Sequence, residues 1–149
     1  MSAALHLCGP EDLELLLPLV AAALDEQGIP PDSETLRGAL EALLGGLPHG
    51  AAWLIGPRRA PVGHVLVSFG WSPAAGGITA SLQQFRIRPA LRRRGIGTEV
   101  LGALATALAG HGVRALEARL PADSPAQGLL ARAGFSRQEG YLRLTRLLG

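Results

Sequence analysis

The most constraining feature of this 149-residue sequence is the junction between a strand pattern and a helix pattern after its middle. Residues 78–87 read ITASLQQFRI, a strand-like run that stops before Pro89. The loop RRRGIG follows, and apolar residues then recur at helical spacing at Val100, Leu101, Leu104, Ala105 and Leu108. A strand that enters a helix through a glycine loop predicts a crossover connection, and therefore parallel strands near the end of the chain.

The same patterns predict one mixed α/β domain over residues 1–149. Strands are expected at 3–8, 51–56, 61–70, 78–87, 113–120 and, as one or two strands, 135–148. Helices are expected over 10–24, 36–44, 100–108 and from a capping box at Ser124 to Gly134. The order β-α-α-β-β-β-α-β-α-β(β) predicts a central mixed sheet with helices on both faces.

Several functional classes are disfavoured by composition. No stretch approaches the ~20 apolar residues of a membrane span, and the start MSAALHLCGPEDLE turns acidic too early for a signal peptide. The single cysteine, Cys8, cannot form an internal disulfide. The four histidines lack the spacing of metal ligands. We therefore expect a cytoplasmic protein with no membrane partner and no metal.

Charge is distributed unevenly along the chain. Residues 1–75 hold three arginines against eight carboxylates, a balance of −5, and residues 76–149 hold eleven against four, a balance of +7. A basic half suits an anionic ligand. Aromatic residues are only 4% of the chain and the arginines gather at one corner, so a nucleic-acid surface is not expected.

The loop RRRGIG has the chemistry of a phosphate site. The first amides of a helix have no intrahelical partners, and the helix dipole adds positive charge there. Glycines at 95 and 97 would let a ligand approach the backbone. A short GxG is also compatible with a flexible turn. The sequence has neither the GxxxxGK[ST] motif nor the third glycine of a dinucleotide fingerprint.

Arg92-Arg93-Arg94-Gly95-Ile96-Gly97 fits R/Q-x-x-G-x-G/A after a strand, and in this position it resembles the signature of the GNAT superfamily of N-acetyltransferases. The element order and Gly134-Phe135 extend the resemblance over the whole chain. The resemblance implies acetyl-CoA as cofactor, with its pantetheine arm between the strand of Phe85, Arg86 and Ile87 and the strand 114–120. An amide near these residues would meet the developing oxyanion. The resemblance also implies that backbone amides from about Arg93 to Thr98, including those of Gly95, Ile96 and Gly97, hold the pyrophosphate. Arg92, Arg93 and Arg94 would lie near the phosphates of the adenosine end.

The sequence departs from the family pattern where acid–base residues usually stand. Gln83 and Gln84 occupy the place of a strand carboxylate, and Leu130 occupies that of a tyrosine. An Asn of the pattern is likewise replaced, by Asp123. A glutamine can orient water but cannot act as a base near neutral pH. Three alternatives stay open: proton transfer through bulk water, a contribution from Tyr141 or His64, and binding of acyl-CoA without turnover.

The resemblance implies an acetyl-CoA-dependent N-acetyltransferase that transfers acetyl to a primary amine of a small molecule or peptide by direct attack on the thioester. A catalytically silent acyl-CoA sensor is the alternative. Asp25 and Glu26, after the first helix, could attract an ammonium group or be a solvated helix end. Dimers are common in this superfamily and the closing strands often contribute to them, so the resemblance is compatible with a homodimer, although the sequence does not reveal the oligomeric state.

Overall fold

The computed structural model describes residues 4–149, so the first residue of the predicted 3–8 strand lies outside the described residues. Five strands form one sheet in the order β1-β2-β3-β4-β5. The strands are β1 (Leu5–Leu7), β2 (Gly50–Ile55), β3 (Gly63–Ser72), β4 (Gly77–Ile87) and β5 (Ala115–Ala118). Neighbouring strands are antiparallel except β4 and β5, which are parallel. The mixed α/β class and the crossover are confirmed.

Helices cover both faces of the sheet. They are α1 (Leu13–Glu26), α2 (Ser33–Leu44), α3 (Ile96–Gly110) and α4 (Gln127–Arg132), with single 3-10 turns at Pro10–Asp12 and Pro89–Leu91. On one face α1 and α2 bury Leu16, Val20 and Leu40 against Leu54 of β2. On the other face α3 buries Val100 and Leu104 against the sheet. The sheet is therefore the middle layer of three.

The start of α1 is fixed by the carboxylate of Asp12, which is almost fully buried. It accepts a hydrogen bond from the amide of Gly9 at 2.9 Å and two from the guanidinium of Arg58, at 3.1 and 2.9 Å. Arg58 lies in the turn between β2 and β3. These bonds tie the first helix to that turn, and those from Arg58 hold the pKa of Asp12 below its usual value.

A β-bulge interrupts the pairing of β3 with β4. Leu66 is opposite Gln84 while its neighbour Val67 is opposite Leu82, which leaves Gln83 as an extra residue in β4. Side chains alternate between the two faces of a strand, so one extra residue reverses the alternation beyond it. Leu82 and Phe85 accordingly pack on the α3 face. Gln84 is turned to the α1 face, where it meets His64.

One expectation about the end of the chain was wrong. Residues 135–149 contain no strand, although one or two strands were expected over 135–148. A strand is stabilised by its partner rather than by alternation alone, and the side chains of Tyr141, Leu142, Leu144, Leu147 and Leu148 are 83–90% exposed. The dimer implied through these strands stays a prediction.

Helix α4 also differs from expectation, since it begins at Gln127 rather than at Ser124. The hydroxyl of Ser124 accepts a hydrogen bond from the amide of Ala126, two residues on. The side chain of Gln127 donates to the carbonyl of Ala122 and not to the amide of Ser124. The reciprocal bond of a capping box is therefore not made, and the helix starts one turn later.

Candidate active site

A cleft opens where β4 and β5 separate. The parallel pair runs from Thr79 opposite Ala115 to Leu82 opposite Ala118, and no pairing follows within the described residues. The gap holds a cavity of about 120 Å³, lined by residues 82–85 of β4, residues 118–120 after β5, Gln27 after α1, and Ala126, Leu129 and Leu130 of the α4 region. This is the place at which the resemblance implied a wedge.

The N-terminus of α3 presents free backbone donors. Gly95 caps the helix with φ +77°, and no side chain caps it. The helical ladder begins with the bond from Glu99 N to Gly95 O at 3.3 Å, so the amides of Ile96, Gly97 and Thr98 donate to no described residue. With the helix dipole behind them, these amides suit an anion such as a phosphate group.

Arg93, in the loop before this helix, has a backbone strained for its side chain. Its φ is +64°, the one positive value among the described non-glycine residues. Such strain costs of order 1–3 kcal/mol and clusters at ligand sites. The side chains of Arg93 and Arg94 are exposed and form no ion pair with the residues that the structure describes. A phosphate-bearing ligand therefore fits the charge, the donors and the backbone of this loop.

Gly97 also has a packing reason to be small, in addition to the approach of a ligand that the sequence suggested. A Cβ atom there would lie 3.1 and 3.2 Å from the two methyl carbons of Leu129 and 3.5 Å from Cζ of Phe85. The missing side chain therefore lets α3 pack against α4 and β4. Gly95 has open space around its Cα, and its positive φ is what calls for glycine.

Glu26, the last residue of α1, forms ion pairs with one arginine of β4 and with one arginine of the loop before α3. Its carboxylate lies 2.6 Å from Nη2 of Arg86 and 3.0 Å from Nη2 of Arg92. Desolvation opposes its ionisation, but hydrogen bonds from the two arginines outweigh that effect and hold the pKa of Glu26 below its usual value. Nε of Arg92 also donates to the carbonyl of Ile87 at 2.7 Å. Asp25 is exposed, and its carboxylate contacts no described cation.

Of the three catalytic candidates, two line the cleft and the third lies outside it. Gln83 lines the cleft and donates from its amide to the hydroxyl of Ser68 at 2.9 Å. Gln84 lines the cleft and faces His64, with 2.8 Å between Gln84 Oε1 and His64 Nε2. Tyr141 is 83% exposed in the C-terminal segment and is not part of the cleft. Leu130, in the place of the family tyrosine, is buried at the cleft wall.

The contact between His64 and Gln84 was not expected from the sequence. His64 was one of several candidates for a role, but its partner depends on the bulge at Gln83, which has no sequence signal here. His64 lies two positions along its strand from the residue that is paired with Gln84. From the sequence alone, such a histidine could not be distinguished from an ordinary buried residue of the core. Within residues 4–149 no group of three or more His, Cys, Asp or Glu side chains is placed to hold a metal ion.

Stability should depend on pH through His64. Burial lowers the pKa of this fully buried histidine below its usual value. The unfolded chain therefore binds the proton first, and stability falls as pH drops below about 6.5 towards the folded-state pKa. Compared with His64→Gln, the wild type should lose up to about 1.4 kcal/mol of unfolding free energy per pH unit in that window.

Urea unfolding between pH 7.5 and pH 5 measures this difference. His49→Gln, which alters an exposed histidine before β2, is the control and should follow the wild-type curve. Parallel curves for the wild type and His64→Gln would show that His64 is not held neutral by burial.

A parallel strand pair that opens beside an uncapped helix N-terminus defines a cleft for an extended ligand that bears phosphate. The acetyltransferase (GNAT) family model matches residues 20–135, and the chain belongs to that family. No curated protein sequence matches the chain. Among the described residues, no helix has both the length and the hydrophobicity of a membrane span.

Solved structures share the fold over nearly the whole chain. An integron cassette protein, HFX_CASS3, from the mobile metagenome of Cole Harbour Salt Marsh is 28% identical, with a TM-score of 0.83 over 97% of this chain and 90% of that one. A predicted acetyltransferase from Clostridium acetobutylicum, solved with acetyl-CoA, is 15% identical, with a TM-score of 0.79 over 96% of each chain. The aminoglycoside N-acetyltransferase AAC(6')-Iy, in complex with CoA, is 14% identical, with a TM-score of 0.79 over 97% and 94%.

Proposed function

We propose that this protein is an acetyl-CoA-dependent N-acetyltransferase that acts on a primary amine of a small molecule or peptide. The observation that carries the proposal is the opening between β4 and β5 beside the free amides of α3, in a chain that belongs to the GNAT family. Two structures of the same fold were solved with acetyl-CoA and with CoA, which supports the choice of ligand.

Two parts of the cofactor, the pyrophosphate and the pantetheine arm, have matching features in the site. The amides of Ile96, Gly97 and Thr98 are free to bind the pyrophosphate, and Arg93 and Arg94 supply positive charge beside them. Beyond Leu82 the edge of β4 that faces β5 is paired with no described strand, so it can bond to the amide groups of pantetheine as it would to a strand. Phe85, Arg86 and Ile87 belong to this edge.

The reaction would be a direct transfer. The amine nitrogen forms a bond to the acyl carbon, the carbon–sulfur bond breaks, and its electron pair leaves with sulfur. The amine's proton passes to water, and the thiolate is protonated from solvent. Neither Gln83 nor Gln84 can take the proton, and Leu130 cannot supply one. Proton transfer through water is therefore the route that the side chains of the cleft leave available.

The acceptor amine would approach from the end of α1. Gln27, directly after that helix, lines the cleft. Asp25 is exposed and has no cationic partner among the described residues, whereas the charge of Glu26 is shared with Arg86 and Arg92. Of the two acidic residues, Asp25 is therefore the better candidate to attract an ammonium group, and Glu26 is the better candidate to hold the arginines in place.

Thermal melting with acetyl-CoA tests the cofactor assignment. A ligand at 100 times its Kd adds about 2.7 kcal/mol to stability, which should raise Tm by roughly 5–10 °C for a domain of this size. Pantetheine, which lacks the phosphates, is the control and should give a much smaller shift. An unchanged Tm at millimolar acetyl-CoA would refute the proposal. Thiol release across a panel of primary amines then tests turnover.

A catalytically silent acyl-CoA sensor is a second candidate function, and one observation favours it. Leu130 places a buried apolar side chain in the cleft wall where the family pattern has a tyrosine that protonates the leaving thiolate. A protein that is stabilised by acetyl-CoA but releases no thiol with any primary amine would support the sensor instead of the transferase.

A further inference from the structure

Gln84 connects the cleft to a buried histidine. It lies on the wall of the cleft between β4 and β5, and its Oε1 atom is 2.8 Å from Nε2 of His64 on β3. His64 is 0% exposed and Gln84 is 7% exposed. The bulge at Gln83 makes this contact, because without the extra residue Gln84 would point to the opposite face of the sheet.

The protonation of His64 follows from its surroundings. Burial lowers its pKa, so the ring is neutral near pH 7 and carries one N–H group. Nδ1 is buried and has no partner among the described residues. A proton on Nδ1 would leave a buried N–H donor unpaired, which proteins avoid more strictly than an unpaired acceptor. The proton therefore lies on Nε2, which donates to Oε1 of Gln84.

This bond determines what Gln84 presents to the cleft. Its oxygen is occupied by His64, so its NH₂ group is the part left to interact with a ligand. That nitrogen donates to no described residue, and Gln84 is one of the residues that line the cleft. An amide NH₂ group donates hydrogen bonds and cannot accept a proton.

We propose that Gln84, oriented by His64, donates a hydrogen bond to the carbonyl oxygen of the acyl group bound in the cleft. This inference rests on the proposed function. Negative charge develops on that oxygen as the amine nitrogen bonds to the acyl carbon, and a donor already in place lowers the barrier. Gln84 neither gains nor loses a proton in this step. It is a catalytic residue, and His64 is a positioning residue.

Two substitutions at Gln84 distinguish a role as hydrogen-bond donor from a role as general base. Gln84→Leu removes the donor, and Gln84→Glu replaces it with a carboxylate that accepts from His64 and has no N–H. Removal of one such donor lowers kcat by about 10²–10³-fold in characterised enzymes, and we expect at least a tenfold loss in both variants. The Kd for acetyl-CoA should stay within about threefold, since the contact strengthens during attack. A faster Gln84→Glu variant would show a base role and overturn the proposal.

Two substitutions at His64 test the positioning role. His64→Leu cannot hold the Gln84 amide, so kcat should fall while the acetyl-CoA-induced rise in Tm is kept. The amide of His64→Gln can donate to Oε1 of Gln84 and should restore most of the lost kcat. Wild-type kcat in His64→Leu, or no recovery in His64→Gln relative to His64→Leu, would refute positioning by a hydrogen bond.

Nitrogen-15 NMR gives a readout that does not depend on turnover. The His64 ring should show the neutral tautomer with hydrogen on Nε2, and the side-chain amide signal of Gln84 should move when acetyl-CoA is added. Hydrogen on Nδ1, or an unmoved amide signal in a protein stabilised by acetyl-CoA, would overturn the inference. Failure of the proposed function looks different, since the wild type would then release no thiol with any primary amine, whether or not acetyl-CoA raises its Tm.

Discussion

Gly63→Ala should destabilise the protein by about 3 kcal/mol or more, which lowers Tm by roughly 6–12 °C. Gly63 begins β3 and is paired with Ile87 at the end of β4. A Cβ atom at this position would overlap the carbonyl oxygen of Arg86 and lie 3.1 Å from Cα of Ile87. Both contacts are with backbone, which cannot rotate away. The two strands would have to separate where β4 borders the candidate cofactor site.

Gly70→Ala is the matched control on the same strand. A Cβ atom there would be 3.4 Å from the hydroxyl of Thr79, an ordinary contact with a side chain. Alanine is also a better strand residue than glycine. We expect a change of less than about 1 kcal/mol in the free energy of unfolding measured in urea. Equal losses in the two variants would show that close strand packing at Gly63 is not what requires glycine.

Gly95→Val should weaken acetyl-CoA binding by at least tenfold, a loss of about 1.4 kcal/mol. The N-cap of α3 has φ +77°, a conformation that a β-branched residue reaches only at a considerable cost. The loop must either remain strained or change shape. A changed loop displaces the free amides of Ile96 and Gly97 from a common anion. Calorimetric titration with acetyl-CoA measures the change in Kd.

Gly102→Ala controls for the helix itself. Gly102 lies within α3, and a Cβ atom there would meet nothing within 4 Å. Alanine should stabilise the helix by up to about 1 kcal/mol, and the Kd for acetyl-CoA should be unchanged. If Gly95→Val bound acetyl-CoA as tightly as Gly102→Ala, the helix-start amides would not be the phosphate site.

Local patterns were sufficient to predict most of the fold. The strand ending at Ile87, the glycine loop and the periodic helix after it are encoded by neighbouring residues, so their order could be read directly. The prediction of closing strands was wrong because a strand is stable only beside a partner strand, and that partner can lie far away in the sequence. Helix α4 begins at Gln127, later than predicted, because the side chains of Ser124 and Gln127 form hydrogen bonds with backbone groups other than those of a capping box.

The candidate site was predictable in part for the same reason. Its candidate phosphate-binding loop is a continuous stretch, and the motif from Arg92 to Gly97 therefore marks it in the sequence. The arrangement around the loop depends on side chains from different elements. Glu26, which was considered as a residue that attracts the acceptor amine, is paired with Arg86 and Arg92. These partners are 60 and 66 residues away, and no local pattern at the end of α1 indicates them.

Residues close together in the chain were therefore enough to predict the order of the elements from β1 to α4, the family and the position of the uncapped helix start. Which side chains meet in the cleft depends instead on contacts between residues far apart in the chain. One extra residue at Gln83 reverses the faces of β4 and brings Gln84 to His64. Register between strands is set by packing over the whole sheet, and hydrophobic periodicity alone does not specify it.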